Sequence, residues 1–175
     1  MKKVFFSVLT VGVIGMATLL FVKTYQGMAA KKQTEQQLQH LPSVALVGLD
    51  STSFALHPNT KPIVIFYFDP HCEHCQNEAN ALKKQANAFE NVTLLWLSTE
   101  RLWVLREFEQ KYGLQKTIPS LKIAHISPQD ADKQFGFRTV PTILMYDTEG
   151  NLTKKYVGET KIEAILKHLH GCTIY

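Results

Sequence analysis

The chain has 175 residues, of which 45% are hydrophobic and 10% aromatic, and its formal net charge is +4 at pH 7. This length and composition predict one packed globular domain with a modest extension. Basic residues are mixed with acidic ones rather than clustered, so we expect no nucleic-acid partner. Three cysteines are too few for a disulfide-stapled scaffold, which excludes that class of small secreted protein.

The N-terminus predicts a membrane segment. Lys2 and Lys3 precede an uncharged, largely apolar run over residues 4–22, about the length that one bilayer crossing needs. We therefore predict a transmembrane anchor at 4–22, with residues 1–3 in the cytoplasm. A cleaved secretory signal is the alternative, because residues 27–30 (Gly-Met-Ala-Ala) form a passable cleavage site, although the apolar run is longer than in most signals. Both interpretations deliver the domain outside the cytoplasm.

Composition divides the rest of the chain into three parts. A polar linker is predicted over residues 23–41, a folded domain over 42–170 and a short tail over 171–175. Short apolar stretches between residues 44 and 56, separated by a Gly-Leu-Asp-Ser turn, predict a β-hairpin or two short strands. Residues 63–68 form a continuous β-branched and aromatic run, which indicates a central strand covered on both faces.

The middle of the domain shows helical spacing. Apolar residues recur with a helical period after Cys72, so a helix is predicted to begin at or just after that residue. Another helix is predicted over about 100–112, capped by Ser98 or Thr99 and ended by Gly113. Its buried stripe is expected to consist of Leu102, Leu105, Phe108 and Tyr112.

The same rules predict the remaining elements. These are strands over residues 92–97, 142–147 and 153–157, a turn over 148–151, and helices over 127–135 and 160–168. Strands interleaved with helices, and closed by a hairpin and a helix, predict an α/β domain with a mixed central sheet flanked by helices.

Two cysteines are close together in a Cys-Glu-His-Cys sequence, Cys72 to Cys75. This spacing is used for thiol–disulfide exchange or for half of a zinc site. A buried strand before the pair, a helix after it, and a Val-Pro-Thr step entering a strand at residues 140–142 resemble the thioredoxin superfamily. The resemblance covers roughly residues 42–169 and implies a thioredoxin-like fold.

Within that superfamily the chain resembles the TlpA/ResA-like branch of membrane-anchored thiol–disulfide oxidoreductases. Glu78 lies three residues after the second cysteine, where that branch carries an acid, and an N-terminal anchor is typical of it. His71 stands where an aromatic residue is common, and Glu73-His74 replaces the more familiar central pair. The branch implies a bacterial cell-membrane protein with one membrane pass, its catalytic domain facing the periplasm or the cell exterior, or a secreted protein if the N-terminal segment is cleaved.

The resemblance assigns roles to individual residues. Cys72 is the expected nucleophile, because a helix N-terminus favours its thiolate, and Cys75 then resolves the mixed disulfide. Glu78 is expected to accept the Cys75 proton if it is buried; its alternative is a solvated helix residue. Pro141 is the expected cis-proline facing the cysteines, and Val140 offers backbone hydrogen bonds to an extended substrate.

The sequence leaves the direction of electron flow open. A protonated His74 favours the Cys72 thiolate and a more oxidising couple, as in DsbA-like proteins, whereas Glu73 opposes it by like-charge repulsion. His71 borders the pair and is a further candidate for tuning. Resemblance to the TlpA/ResA-like branch favours a reductant, with a disulfide-donating oxidase as the alternative.

Metal handling is the main rival function. His71, Cys72, His74 and Cys75 are the residue types that bind copper or zinc, as in a metal chaperone with a thioredoxin-like fold. Neighbouring residues at the start of a helix point in different directions, however, which argues against all four binding one ion.

The metal-free exchange reaction is favoured, with no cofactor. Its expected partners are protein thiols and disulfides and another extracytoplasmic redox protein. The resemblance alone implies cytochrome c maturation as a substrate class. Cys172, near the C-terminus, has no assigned role.

Overall fold

The computed structural model describes residues 16, 18–27 and 35–171. Contacts divide the chain into two compact units, Met1–Gln36 and Gln37–Tyr175. In the first unit, a helix (α1) covers residues 18–27. The predicted anchor at 4–22 lies mostly outside the described residues, and so does Cys172. Across the described ranges, no helix is both long enough and apolar enough to span a membrane.

The second unit is built on one mixed sheet of seven strands in its described part, in the order β2-β1-β5-β4-β3-β6-β7. The strands are β1 (Ala45–Gly48), β2 (Ser53–Ala55), β3 (Ile63–Tyr67), β4 (Thr93–Ser98), β5 (Leu121–His125), β6 (Thr142–Tyr146) and β7 (Leu152–Val157). The helices are α2 (Glu73–Lys84), α3 (Leu102–Tyr112), α4 (Leu114–Thr117), α5 (Pro128–Lys133) and α6 (Ile162–Gly171), with a 3₁₀ turn at Ala86–Phe89. The predicted α/β class with a mixed sheet is confirmed.

Strand β3 lies inside the sheet, as its apolar sequence predicts. It pairs in parallel with β4 and antiparallel with β6. Successive side chains point to opposite faces: Val64 and Phe66 belong to one core cluster, and Ile63 and Ile65 to the other. Both clusters are closed to solvent, which is why this strand shows no polar alternation.

The two faces of the sheet are covered by different elements. One cluster includes buried residues of α2, α3 and α6, among them Cys75, Phe108 and Ile165. The opposite cluster includes buried residues from α5 and from the segment before β1, among them Ala131 and Leu38. The cysteine-bearing helix is therefore anchored by the first cluster.

Helix ends match the predictions at some positions and not at others. Gly113 ends α3 in the left-handed conformation, with φ of 62°, as expected. The predicted cap at Ser98 or Thr99 is wrong, because α3 begins at Leu102 with Arg101 at its N-cap and no side-chain cap bond. The Ser98 hydroxyl is buried at the end of β4 and accepts a hydrogen bond from the Glu100 N–H instead.

Strand β5 and the start of the packed region differ from the sequence expectation. Strand β5 was not predicted, because the exposed Lys122 interrupts its apolar side chains. The packed region also begins earlier than residue 42: Leu38 is 2% exposed, and His40 forms a bridge with Asn151. The C-terminal part of the predicted linker thus belongs to the core, although its composition is polar.

Candidate functional site

The sheet brings the cysteine pair and the Val-Pro step to one edge. Tyr67, the last residue of β3, pairs with Thr142, the first residue of β6. Cys72 follows Tyr67 by five residues and Pro141 directly precedes Thr142. The antiparallel register of β3 and β6 therefore places the two sequence features at the same end of the sheet, although they are far apart in the chain.

Cys72 is the N-cap residue of α2, so the predicted helix start is confirmed. Its backbone is extended, with φ of −77° and ψ of 121°, and its side chain makes no capping bond. The preceding loop is held by Asp69, whose carbonyl accepts the Cys72 N–H and whose carboxylate accepts the His71 N–H. The Cys72 side chain is half-buried and lies where a helix N-terminus favours negative charge.

Cys75 lies one turn further into the helix and is completely buried. Both cysteines are free thiols in this structure. Burial raises the pKa of the Cys75 thiol far above its ordinary value, and the neighbouring Cys72 and Glu78 raise it further. The pair is therefore asymmetric: Cys72 can be reached from solvent, whereas Cys75 is kept protonated unless a nearby group takes its proton.

Glu78 is buried on α2, with 3% of its surface exposed. The alternative that it is an ordinary solvated helix residue is therefore wrong. Burial raises its pKa to about 7, with a further increase from the charge of Glu159, while the hydrogen bond from the Thr160 N–H and the charge of His74 lower it. A carboxyl group with this pKa can accept or release a proton near neutral pH. Its role in proton transfer stays a prediction.

His71, Glu73 and His74, the residues predicted to tune the pair, are all exposed. The His74 Nδ1 lies 2.5 Å from Oε2 of Glu159, in the loop between β7 and α6. Glu159 was not predicted from the sequence, because it lies 85 residues from His74. The only signal available was its place in a Gly-Glu-Thr turn next to a predicted strand end.

The peptide bond between Val140 and Pro141 is cis, as the resemblance implied. Pro141 is buried, and the half-buried Val140 packs against the core cluster that contains Cys75. The carbonyl of Pro141 accepts a 2.8 Å hydrogen bond from the N–H of Gly158. The loop that carries Glu159 is thus tied to the cis-proline as well. Substrate binding at Val140 and Pro141 stays a prediction.

No metal arrangement accompanies this site in the part of the chain that the structure describes. There, no three or more His, Cys, Asp or Glu side chains are grouped so that they could hold a metal ion. The proposed ligand set of His71, Cys72, His74 and Cys75 does not form such a group.

A half-exposed cysteine at a helix N-cap, a buried second cysteine and a cis-proline at the same sheet edge define a dithiol site of the thioredoxin type. The family model for a thioredoxin-like domain matches residues 49–171. The chain belongs to this thioredoxin-like family of thiol–disulfide oxidoreductases, which confirms the superfamily prediction. A search of curated proteins found no match.

Solved structures share the fold at low sequence identity. DsbF of Mycobacterium tuberculosis, in mixed oxidised and reduced forms, has 21% identity and a TM-score of 0.63, covering 77% of this chain and 96% of that chain. A secreted M. tuberculosis disulfide oxidoreductase homologous to E. coli DsbE has 18% identity and a TM-score of 0.63, covering 78% and 98%. Copper-bound ScoI of Arabidopsis thaliana has 13% identity and a TM-score of 0.57, covering 74% and 98%. At these identities the likeness concerns the fold.

Proposed function

We propose that this chain is a membrane-tethered, extracytoplasmic oxidoreductase of the TlpA/ResA-like type that reduces disulfides in protein substrates. The observation that carries the exchange reaction is the asymmetry of the cysteine pair. Cys72 is half-buried at the N-cap of α2, and Cys75 is fully buried next to the carboxyl group of Glu78. One thiol can meet a substrate, and the other can act only inside the protein.

The reaction then has two steps. The Cys72 thiolate attacks one sulfur of a substrate disulfide, forming a mixed disulfide and releasing the first substrate thiolate. Cys75 gives its proton to the Glu78 carboxylate and attacks Cys72, which breaks the mixed disulfide and releases the second substrate thiolate. The substrate gains two electrons, and Cys72 and Cys75 end as a disulfide. Another extracytoplasmic redox protein must supply two electrons to restore the dithiol.

The charges around the pair support the reducing direction. A positive imidazole beside Cys72 would stabilise the reduced form, but the His74 ring is paired with the carboxylate of Glu159. Glu73 adds another exposed carboxylate at the first position of α2. These negative charges oppose the positive charge of His74, which is the feature that would favour an oxidising couple, and this supports a reductant.

The cellular location is proposed from the N-terminal sequence. The basic residues before the apolar run at 4–22 favour an anchor whose N-terminus stays in the cytoplasm, with the oxidoreductase domain facing the periplasm or the cell exterior. Apocytochrome thiols are the substrate class that the TlpA/ResA-like resemblance suggests. A comparison of membrane and culture fractions by immunoblotting tests the anchor; recovery of a shortened chain in the medium would instead support cleavage.

The equilibrium reduction potential of the Cys72–Cys75 pair tests the function. The Cys172→Ser chain is titrated against dithiothreitol or glutathione, and the free thiols are counted by mass spectrometry after alkylation. A potential near about −270 mV, the thioredoxin value, is expected for a reductant. A value near about −120 mV would instead make the protein a disulfide donor. The absence of a reversible couple would overturn the exchange reaction and favour metal handling.

A further inference from the structure

The loop between β7 and α6 contacts three parts of the site through three consecutive residues. The N–H of Gly158 donates to the Pro141 carbonyl over 2.8 Å. The Glu159 carboxylate pairs with His74, and the N–H of Thr160 donates to Oε1 of Glu78 over 2.9 Å.

A cleft of about 330 Å³ opens on this side of α2. Glu78 lies on its wall, so this buried carboxyl borders a space that solvent can enter. Its lining includes Glu78, Glu159, Thr160, Lys161 and Glu163. Glu159 lies at the exposed side of this space, with 47% of its side chain accessible.

We propose that Glu159 is a positioning residue of the dithiol site, acting on Glu78 through its charge and on His74 through their ion pair. This inference rests on the proposed function, in which Glu78 takes the proton of Cys75. The charge of Glu159 adds to burial, which is the larger cause, in raising the pKa of Glu78.

The charged groups around Glu78 have opposing effects. On α2, the charge of His74 favours the carboxylate form of Glu78. The Glu78 carboxylate in turn raises the pKa of the Cys75 thiol. From the loop, the Glu159 carboxylate favours the protonated acid by like-charge repulsion. The cleft also carries Lys161 and Glu163, and the Glu163 carboxylate accepts a hydrogen bond from Gln85. Substitutions of His74 and Glu159 should therefore change the titration midpoint of Glu78.

Two substitutions should shift the titration midpoint of Glu78 in opposite directions. Glu159→Gln removes the repulsion and leaves His74, so the titration midpoint of Glu78 is expected to fall by about half a pH unit. His74→Gln removes the attraction and leaves Glu159, so the midpoint is expected to rise. A purely structural role for the pair would not give opposite signs, because both changes break the same contact.

The experiment is a side-chain carboxyl titration by NMR of the reduced full-length chain, with Cys172→Ser in every variant. Glu163→Gln is the matched control, since Glu163 lines the same cleft but its carboxylate bonds to Gln85 and not to His74. The control is expected to leave the Glu78 midpoint unchanged. Equal shifts in all three variants, or shifts of one sign for Glu159→Gln and His74→Gln, would overturn the proposal.

A second measurement connects the titration to the reaction. In Glu159→Gln, the acidic limb of the pH–rate profile for mixed-disulfide resolution should move to lower pH with the Glu78 midpoint, because the carboxylate is available over a wider range. If the carboxyl titrations shift as expected but Cys72 and Cys75 form no reversible dithiol–disulfide couple, the proposed function fails. The effect of Glu159 on the titration of Glu78 is then still supported. If the couple is normal and the shifts are absent, only the inference about Glu159 fails.

Discussion

The N–H of Thr160 donates a 2.9 Å hydrogen bond to Oε1 of Glu78, and the two residues are 82 positions apart in the chain. This bond favours the carboxylate form of Glu78, whereas burial favours the protonated acid. Burial is the larger effect, so the pKa rises to about 7 and the group titrates where cells operate. Stability and reactivity of the domain should both depend on this one carboxyl group.

Glu78→Gln should stabilise the fold at alkaline pH. The folded state holds the Glu78 proton more tightly than the unfolded chain does, since the pKa is raised from 4.5 to about 7. The stability linked to this proton is complete below about pH 4.5 and is lost as the pH rises through 7. The free energy of unfolding of the variant, measured relative to that of the wild type, should therefore be about 2–3 kcal/mol higher at pH 8 than at pH 5.

Urea unfolding of both proteins at the two pH values measures this difference. The exposed Glu107, on the neighbouring helix α3, provides a control substitution, Glu107→Gln, which should show no such gain. If Glu78→Gln has the same relative stability at pH 5 and pH 8, Glu78 is not the buried titrating group described above.

Cys75→Ala should trap the first covalent intermediate. In a Cys172→Ser background, the reduced protein is mixed with a chromogenic aromatic disulfide, and the released thiol is measured by absorbance. The dithiol chain should release two equivalents, because Cys75 resolves the mixed disulfide, whereas Cys75→Ala should release one and keep the other bound to Cys72. The bound group is identified by mass spectrometry.

The reciprocal variant checks the assignment of the nucleophile. Cys72→Ala leaves only the fully buried Cys75, whose pKa is raised by burial. Its reaction with the same reagent should be slower by about 100-fold or more, because little thiolate is present and access is blocked. Similar rates for the two single variants would contradict the asymmetry on which the proposed reaction depends.

Gly158→Ala should lower the rate of disulfide exchange by more than its loss of folding stability accounts for. Gly158 has φ of 87°, a conformation that costs an L-residue about 1 kcal/mol. The strain should rotate the backbone, which weakens the hydrogen bond from the Gly158 N–H to the Pro141 carbonyl. The residues that follow, Glu159 and Thr160, should then be displaced. Rates of substrate-disulfide reduction are expected to fall several-fold.

Gly113→Ala is the matched control, because Gly113 also has a positive φ, 62°, and an added Cβ would meet no atom within 4 Å at either glycine. Gly113 lies between α3 and α4, and none of the predicted site residues belongs to either helix. Both variants should lose about 1 kcal/mol in urea unfolding, but only Gly158→Ala should lose activity. Equal activity losses would show that the loop next to the cis-proline has no special role.

The start of the folded unit can be tested by truncation. A fragment beginning at residue 37 retains Leu38, which is 2% exposed, and the bridge between His40 and Asn151. A fragment beginning at residue 42 loses both, and we expect it to be less stable by about 2–5 kcal/mol, the range for replacing a buried leucine by alanine. Comparable urea midpoints for the two fragments would mean that residues 38–41 contribute little to the core.

The sequence alone determined the main features of the fold and the location of the site. A continuous apolar run marks a strand covered on both faces, the spacing after Cys72 marks the helix, and Gly113 ends α3 where predicted. These features depend on local side-chain pattern and backbone preference, which neighbouring residues carry. The cis-proline at Pro141 came from family resemblance rather than from such rules.

Only the tertiary structure decided which residues surround the cysteines. The pairing of β3 with β6 brings Pro141 to their edge of the sheet, and the turn after β7 brings Glu159 to His74 and Thr160 to Glu78. Burial of Glu78 likewise depends on elements that pack over α2 from more than 80 residues away. No local pattern contains these contacts, because they arise when the whole sheet is assembled and one helix face is closed to water.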